Sequence, residues 1–295
     1  MRYTLQLPTD RVSQVDEFLT AEALAEMGQA AEAAGFDSCF VTDHPIPEDR
    51  WLASGGHHAL DPFVALSFVA AATRKIRIQT HVLVLPYRNP FITAKSVASL
   101  DLLSRGRLIV GVAAGYLEQE FDAVGADFAR RNEICDETLL AMREAWRGES
   151  VTREGLHFRA TGNTALPRPA QRPAPPIWVG GNSKRAIRRA IELGDGWLPF
   201  PAPARMAKHI GTAALEGTDD LRDRLAYANT HAAKVGREAP LDIVYSPVGQ
   251  HEALPEPSAF IDLAAELEAI GVTWLVVSLP HRTRAEFLDE IARFG

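Results

Sequence analysis

His44 closes the run FVTDH (residues 40–44) directly after Asp43. Imidazole is the side chain that gains or loses a proton near neutral pH, so this position could serve as a general acid or base. A lone histidine at the end of a strand fits a plain hydrogen-bonding role equally well, and its surroundings must decide. A second interruption lies in IQTHVLVLPYRNP (78–90), where polar Arg77, Gln79 and His81 share one alternating face and Ile76, Ile78, Val82 and Val84 share the other. Strands buried on both faces usually read as near-continuous Val, Ile and Leu. The polar face is therefore either a hydrogen-bonded filling or a surface for a ligand. A third stretch, VGGNSKRAIRRA (179–190), leads Gly180, Gly181, Asn182 and Ser183 into a helix, where small residues let backbone N–H groups approach an anion. Lys184 and Arg185 stand in a first turn whose partial positive charge favours Asp or Glu. A bound phosphate would remove that conflict; solvated surface charge is the alternative. Gly-Gly-His-His at 55–58 could suggest a metal, but adjacent histidines do not readily chelate one ion and no acidic partner has ligand spacing. No metal is expected. Trp51 and His57 are expected instead on a lid that keeps water from a substrate.

The elements that must position these residues alternate regularly. Strand-like runs at 3–7, 38–44, 76–86, 107–115, 176–181, 195–200, 241–247 and 273–280 are followed by helical stretches at 21–35, 61–73, 93–104, 132–148, 183–194, 204–237, 257–271 and 283–295. Asp61 reads as an N-cap with Pro62 in the first turn, and Gly35 ends the apolar stripe Leu24, Met27, Ala31, Ala34. Eight strand–helix units argue for an α/β fold of the (β/α)₈ TIM-barrel type, a single domain over 1–295 with insertions after strands 2, 4 and 6. In such a barrel the functional residues lie at the C-terminal ends of the strands, where Asp43, His44, Gly115, Tyr116, Gly180 and Gly181 fall.

Composition narrows the partners. The 295 residues are 46% hydrophobic and 23% charged with a net charge of −7, which suits a soluble globular chain with a sizeable core and excludes the basic footprint of a nucleic-acid binder. No apolar run is long enough for a membrane span, and MRYTLQLP lacks the build of a signal peptide, so a cytoplasmic protein is expected. A homodimer is among the expected assemblies. The two cysteines, Cys39 and Cys135, read as reduced core residues.

The runs FVTDHPIP (40–47), THVLVLPYRNPFITAKSVASLDLLSRGRLIVGVAAGYLEQEF (80–121), RRNEICDETLLAMREAW (130–146) and PPIWVGGNSKRAIRRAIELGDGWLP (175–199) closely resemble the bacterial luciferase-like monooxygenase superfamily. Within it they are most similar to the branch that uses the deazaflavin coenzyme F420. The resemblance covers most of the first 200 residues in collinear order, and beyond Pro199 only the barrel pattern matches. It implies a non-prolyl cis peptide at His81–Val82, in a bulge of the third strand, with Thr80, His81 and Val82 as a platform for the cofactor ring. It places Asp43 and His44 against the ring's reactive edge, with Asp43 either orienting His44 or contacting the ring itself. Gly115, Tyr116 and Gln119 would line the cofactor channel, and the 180–185 turn would take its phosphate. The implied activity is hydride transfer between F420 and a small organic substrate; an FMN-dependent monooxygenase using O₂, or a flavin-binding protein without turnover, is the alternative. One departure stands out. Deazaflavin enzymes acting on sugar phosphates carry Glu directly after the strand-4 glycine, where this chain has Tyr116, and Glu118 and Glu120 further on read as solvated helix charges.

Overall fold

The structure is a computed structural model that describes residues 1–209, 211–247 and 256–295. Eight parallel strands close into a barrel: β1 (Arg2–Gln6), β2 (Ser38–Val41), β3 (Arg77–Val84), β4 (Leu108–Ala113), β7 (Ile177–Gly180), β8 (Gly196–Leu198), β9 (Asp242–Tyr245) and β10 (Trp274–Val277). Between β4 and β7 an antiparallel hairpin of β5 (Ser150–Glu154) and β6 (Arg159–Thr164) stands outside the barrel as a separate two-stranded sheet. The loops after β2 and β8 carry short helices, Asp49–Ala53 and Ala204–His209. Among the described residues, no helix is long and apolar enough to cross a membrane.

Local chemistry starts the helices where the strands hand over. Asp61 accepts from the N–H groups of Phe63 and Val64 ahead of helix Pro62–Ala72, and Asn89 does the same for Phe91 and Ile92 ahead of helix Pro90–Leu103. In both, proline fills the first turn, where its missing N–H costs nothing. Period-two alternation then divides the strands between two cores. Leu108, Val110, Val112, Ile177 and Val179 face the surrounding helices, whereas Phe40, Ile109, Trp178, Leu198, Val244, Trp274 and Val276 fill the barrel itself. Trp178 and Trp274 meet edge to face at 5.0 Å, which plugs the barrel axis. Cys39 and Cys135 are free and fully buried, and burial pushes both thiols up, to about 12 and about 11.

β3 breaks the alternation. Thr80 pairs with Val110 but Leu83 pairs with Val112, so three steps on β3 oppose two on β4 and one residue is extra. The parity of the strand flips at that point. His81 stacks on Phe40 at 4.4 Å and Val82 also packs on the barrel interior, whereas the alternation read from the sequence sends Val82 to the outer face. The His81–Val82 peptide is cis.

Candidate active site

The mouth of the barrel is formed where β2, β3, β4 and β7 end, and its walls differ in chemistry. Gln79 begins the β3 wall as a fully buried hub, with its Oε1 accepting from Thr4 (3.2 Å) and Ser38 (3.4 Å) and its amide 2.9 Å from His81 Nδ1. Gln79 is thus the hydrogen-bonded filling, and His81 and Val82 stand above it at the bulge. Thr80 Oγ1 donates to the Gly111 carbonyl at 2.8 Å, holding the bulged strand against β4.

His81 keeps part of its surface accessible, yet protein surrounds the ring and burial pushes its imidazole down to about 4. Below its ordinary value near 6.5 the unfolded chain therefore binds a proton that the folded chain refuses. Stability is expected to fall as pH drops from about 6.5 to about 4, by on the order of 3 kcal/mol for this residue alone. His81→Gln removes the proton site, and denaturant unfolding of both proteins at neutral and acid pH checks it. An unchanged acid slope in the variant would refute this source.

The segments after β2 and β4, the two strands that flank β3, carry the candidate catalytic pair, and here the structure decides against one of the two readings of Asp43 and corrects the reading of Glu120. Asp43 does not orient His44. Its Oδ1 accepts from Arg88 at 3.0 Å and its Oδ2 from the Val84 N–H at 3.2 Å, tying the loop after β2 to the exit of β3. Burial raises the Asp43 carboxyl, and Arg88 opposes that rise without cancelling it. His44 is instead held by Glu120, whose Oε2 lies 3.2 Å from His44 Nδ1. Glu120 is no solvated charge: it is fully buried, and it also accepts from Tyr87 Oη (3.0 Å) and from the Ile46 N–H (3.1 Å). Its neighbours on helix Glu118–Val124, Glu118 and Gln119, are exposed, so Gln119 lies on the solvent side of that helix.

Aromatic groups close over His44. Trp51 lies 4.6 Å and His57 4.9 Å from its ring, and Tyr116 stands at 6.4 Å. Gly56 makes the roof possible, since a Cβ there would sit 2.3 Å from the Trp51 ring. Burial, with Glu120 adding to it, pushes the Tyr116 hydroxyl up to about 12, which keeps it a donor at neutral pH. Gly115, at φ +81°, turns the chain from β4 towards this wall, where a side chain would strike Val84 and Phe121.

The 180–185 turn is built from the same side of the barrel. Gly181 adopts φ +121°, donates to the Leu198 carbonyl at 3.2 Å and accepts from Trp197 Nε1 at 2.8 Å. Asn182 is fully buried, donating to the Phe200 carbonyl at 2.8 Å and accepting from its N–H at 3.1 Å. Ser183 caps helix Lys184–Leu193 by accepting from Ala186 N–H. The charge conflict in that helix is resolved within the protein: Arg185 pairs with Glu133 at 3.0 Å and Asp136 at 3.2 Å, and buried Arg189 bonds Asp136 and Asn132. An anion is not needed to balance it. Asn182 and Arg185 are thus engaged by protein groups, while Lys184 lies over the Tyr227 ring at 5.2 Å and Arg188 is exposed.

Between the walls the floor suits a flat ring. Val82 at the bulge of β3, Ala113 at the end of β4 with Ala114 and Gly115 just beyond it, and Gly180 at the end of β7 are only half-buried, and all but Val82 are too small to fill the mouth. A Cβ built on Gly180 would reach 3.5 Å from Val82 and 3.7 Å from Ala113, so the three strand ends converge on one spot. Among the described residues no group of three or more His, Cys, Asp and Glu could hold a metal ion.

A parallel eight-stranded barrel with a bulged third strand and an acid-held histidine at its mouth defines a TIM barrel whose candidate active site lies at the C-terminal ends of its strands. The profile of the luciferase-like monooxygenase family matches residues 1–248, and the chain belongs to that family. It is 32% identical to the F420-dependent glucose-6-phosphate dehydrogenase of Intrasporangium calvum over 90% of this chain and 82% of that one. It is 28% identical to the FMNH(2)-dependent dimethylsulfone monooxygenase of Pseudomonas putida over 72% of this chain and 56% of that one. The crystal structure of monooxygenase RslO1 from Streptomyces bottropensis has the same fold, with a TM-score of 0.78 at 20% identity over 99% of this chain and 96% of that one.

Proposed function

We propose that this protein is an oxidoreductase that binds the deazaflavin coenzyme F420 at the barrel mouth and exchanges hydride between it and a small organic substrate. The observation that carries the reading is the pairing of the small-residue floor at the bulge of β3 with an acid-held imidazole beyond the neighbouring β2. His81 and Val82 would support the ring, with Gly115 and Tyr116 beside it; Thr80, expected among the ring contacts, is fully buried and holds the bulge behind them. Ser183 and Lys184, at the start of their helix, would meet its phosphate. When bound, the coenzyme supplies the hydride chemistry, and the chain supplies position and proton handling. His44 takes up or releases the substrate proton. Trp51 and His57 exclude water over it. The likeness to the dehydrogenase from Intrasporangium calvum, over nine-tenths of this chain, supports F420. Tyr116 in place of an acid argues that the substrate is not a sugar phosphate.

The second reading, an FMN-dependent monooxygenase, draws on the Pseudomonas putida relative. Calorimetric titration with each cofactor separates the two. F420 is expected to bind more tightly than FMN, with an affinity that weakens as salt screens exposed Lys184 and Arg188. Tighter binding of FMN would favour the monooxygenase.

A further inference from the structure

Glu120 stands where a carboxylate is expensive. It is fully buried, and among the described residues no lysine or arginine pairs with it, because the nearby Arg88 is committed to Asp43 at 3.0 Å and Asp61 at 3.2 Å. Such a group persists only with its oxygens well supplied with donors. Two donors and one imidazole, from two segments, converge on it: the Ile46 N–H on Oε1, and Tyr87 Oη and His44 Nδ1 on Oε2. The first can only donate. The second stays protonated, since burial and Glu120 itself raise the Tyr87 phenol far above its ordinary range. Glu120 is thus the acceptor for both, and an imidazole that joins them as a further donor carries its proton on Nδ1.

We infer that Glu120 is a positioning residue that holds His44 as its Nδ1–H tautomer, leaves the Nε2 lone pair as the proton-handling atom, and ties this imidazole to the start of the lid through Ile46. The consequence for catalysis rests on the proposed role of His44; the tautomer does not. Nε2 lies across the ring from Glu120 and has no hydrogen bond among the described residues. The other titratable groups facing His44 are His57 and Tyr116, with Tyr87 behind Glu120 and the Asp43–Arg88 pair beyond it. The lid segment carrying Trp51 leaves from the same anchor: Ile46 follows His44 by two residues, so the ring and the first turn of the roof share one carboxylate.

Nitrogen NMR of the cofactor-free protein, labelled at imidazole nitrogens and with the His44 signals assigned by their loss in His44→Ala, reads the tautomer without any turnover. In its neutral imidazole form the parent is expected to show a protonated, pyrrole-type Nδ1 and an unprotonated Nε2. Glu120→Gln keeps the volume but offers one acceptor oxygen where the carboxylate offers two, so the His44 proton is expected to move towards Nε2. Turnover with reduced coenzyme and an artificial acceptor should fall about 10–100-fold in kcat with KM little changed, the usual cost of losing the group that orients a functional histidine. An Nε2–H tautomer in the parent, or an unchanged tautomer in Glu120→Gln, would overturn the inference. If that variant does not fold, Tyr87→Phe serves: it leaves the carboxylate in place and must retain the parental tautomer. A tautomer that moves while turnover holds would leave the positioning role standing and remove the proton role of His44.

Discussion

His44→Ala is expected to lower turnover about 10²–10⁴-fold, the usual worth of a general acid–base group, while F420 affinity changes little. The separation follows from geometry. His44 belongs to the wall made by Glu120, Trp51, His57 and Tyr116, whereas the ring floor is built by β3, β4 and β7. Truncating the imidazole leaves that floor untouched, and Glu120 keeps its bonds from Tyr87 and Ile46. Steady-state rates with reduced coenzyme and an artificial acceptor, alongside calorimetric affinities, give both quantities. A variant turning over at the parental rate from about pH 5 to pH 9, a span covering the usual imidazole range, would make His44 structural. Tyr116 would then be the next proton donor to test.

The second large effect is expected at a glycine of β4. A Cβ at residue 111 would lie 2.1 Å from the Thr80 carbonyl oxygen and 3.2 Å from its carbonyl carbon. Both atoms are backbone. β4 cannot retreat, because Gly111 is paired with Trp178 on its other side and its own carbonyl accepts from Thr80 Oγ1 at 2.8 Å. Gly111→Ala must therefore rebuild the bulge at the cofactor floor. A loss at or beyond the upper end of the ~1–3 kcal/mol typical of overpacked sites is expected, a fall in Tm on the order of 10 °C, together with loss of F420 binding. Gly217→Ala is the control, since its φ of −169° is ordinary extended backbone and nothing lies within 4 Å of the added methyl. Equal melting temperatures for the two variants would show that the bulge yields without cost.

The barrel was legible because its signals are local. Asp61 and Asn89 announce their helices within three residues, and Ile109 alternates with Leu108 and Val110 as the two faces of β4 demand. The strand ends were overdrawn: β2 stops at Val41, and Asp43 and His44 lie beyond it, extended towards the site but outside the sheet. What stayed hidden depends on partners distant in sequence. Helix Glu118–Val124 has seven residues, too short for a buried stripe to separate Glu120 from Glu118, and the groups that hold Glu120 lie 76 and 33 residues away at His44 and Tyr87. Arg185 misled for the same reason, since Glu133 and Asp136 sit 52 and 49 positions earlier on a different helix. Charge compensation across elements leaves no local pattern. The extra residue in β3 was implied by the family resemblance and by no pattern in the strand's own residues, because a bulge is a property of two strands.

The distribution of indole rings makes the roof observable by light. Of the five tryptophans, Trp146, Trp178, Trp197 and Trp274 are sealed in the interior, and only Trp51 stands partly exposed beside His44. A water-soluble quencher such as iodide reaches that one fluorophore and leaves the other four as a constant background. Emission from the unmodified protein therefore reports the state of the mouth alone, and a ligand seated beneath Trp51 registers as lost quenching without any attached dye.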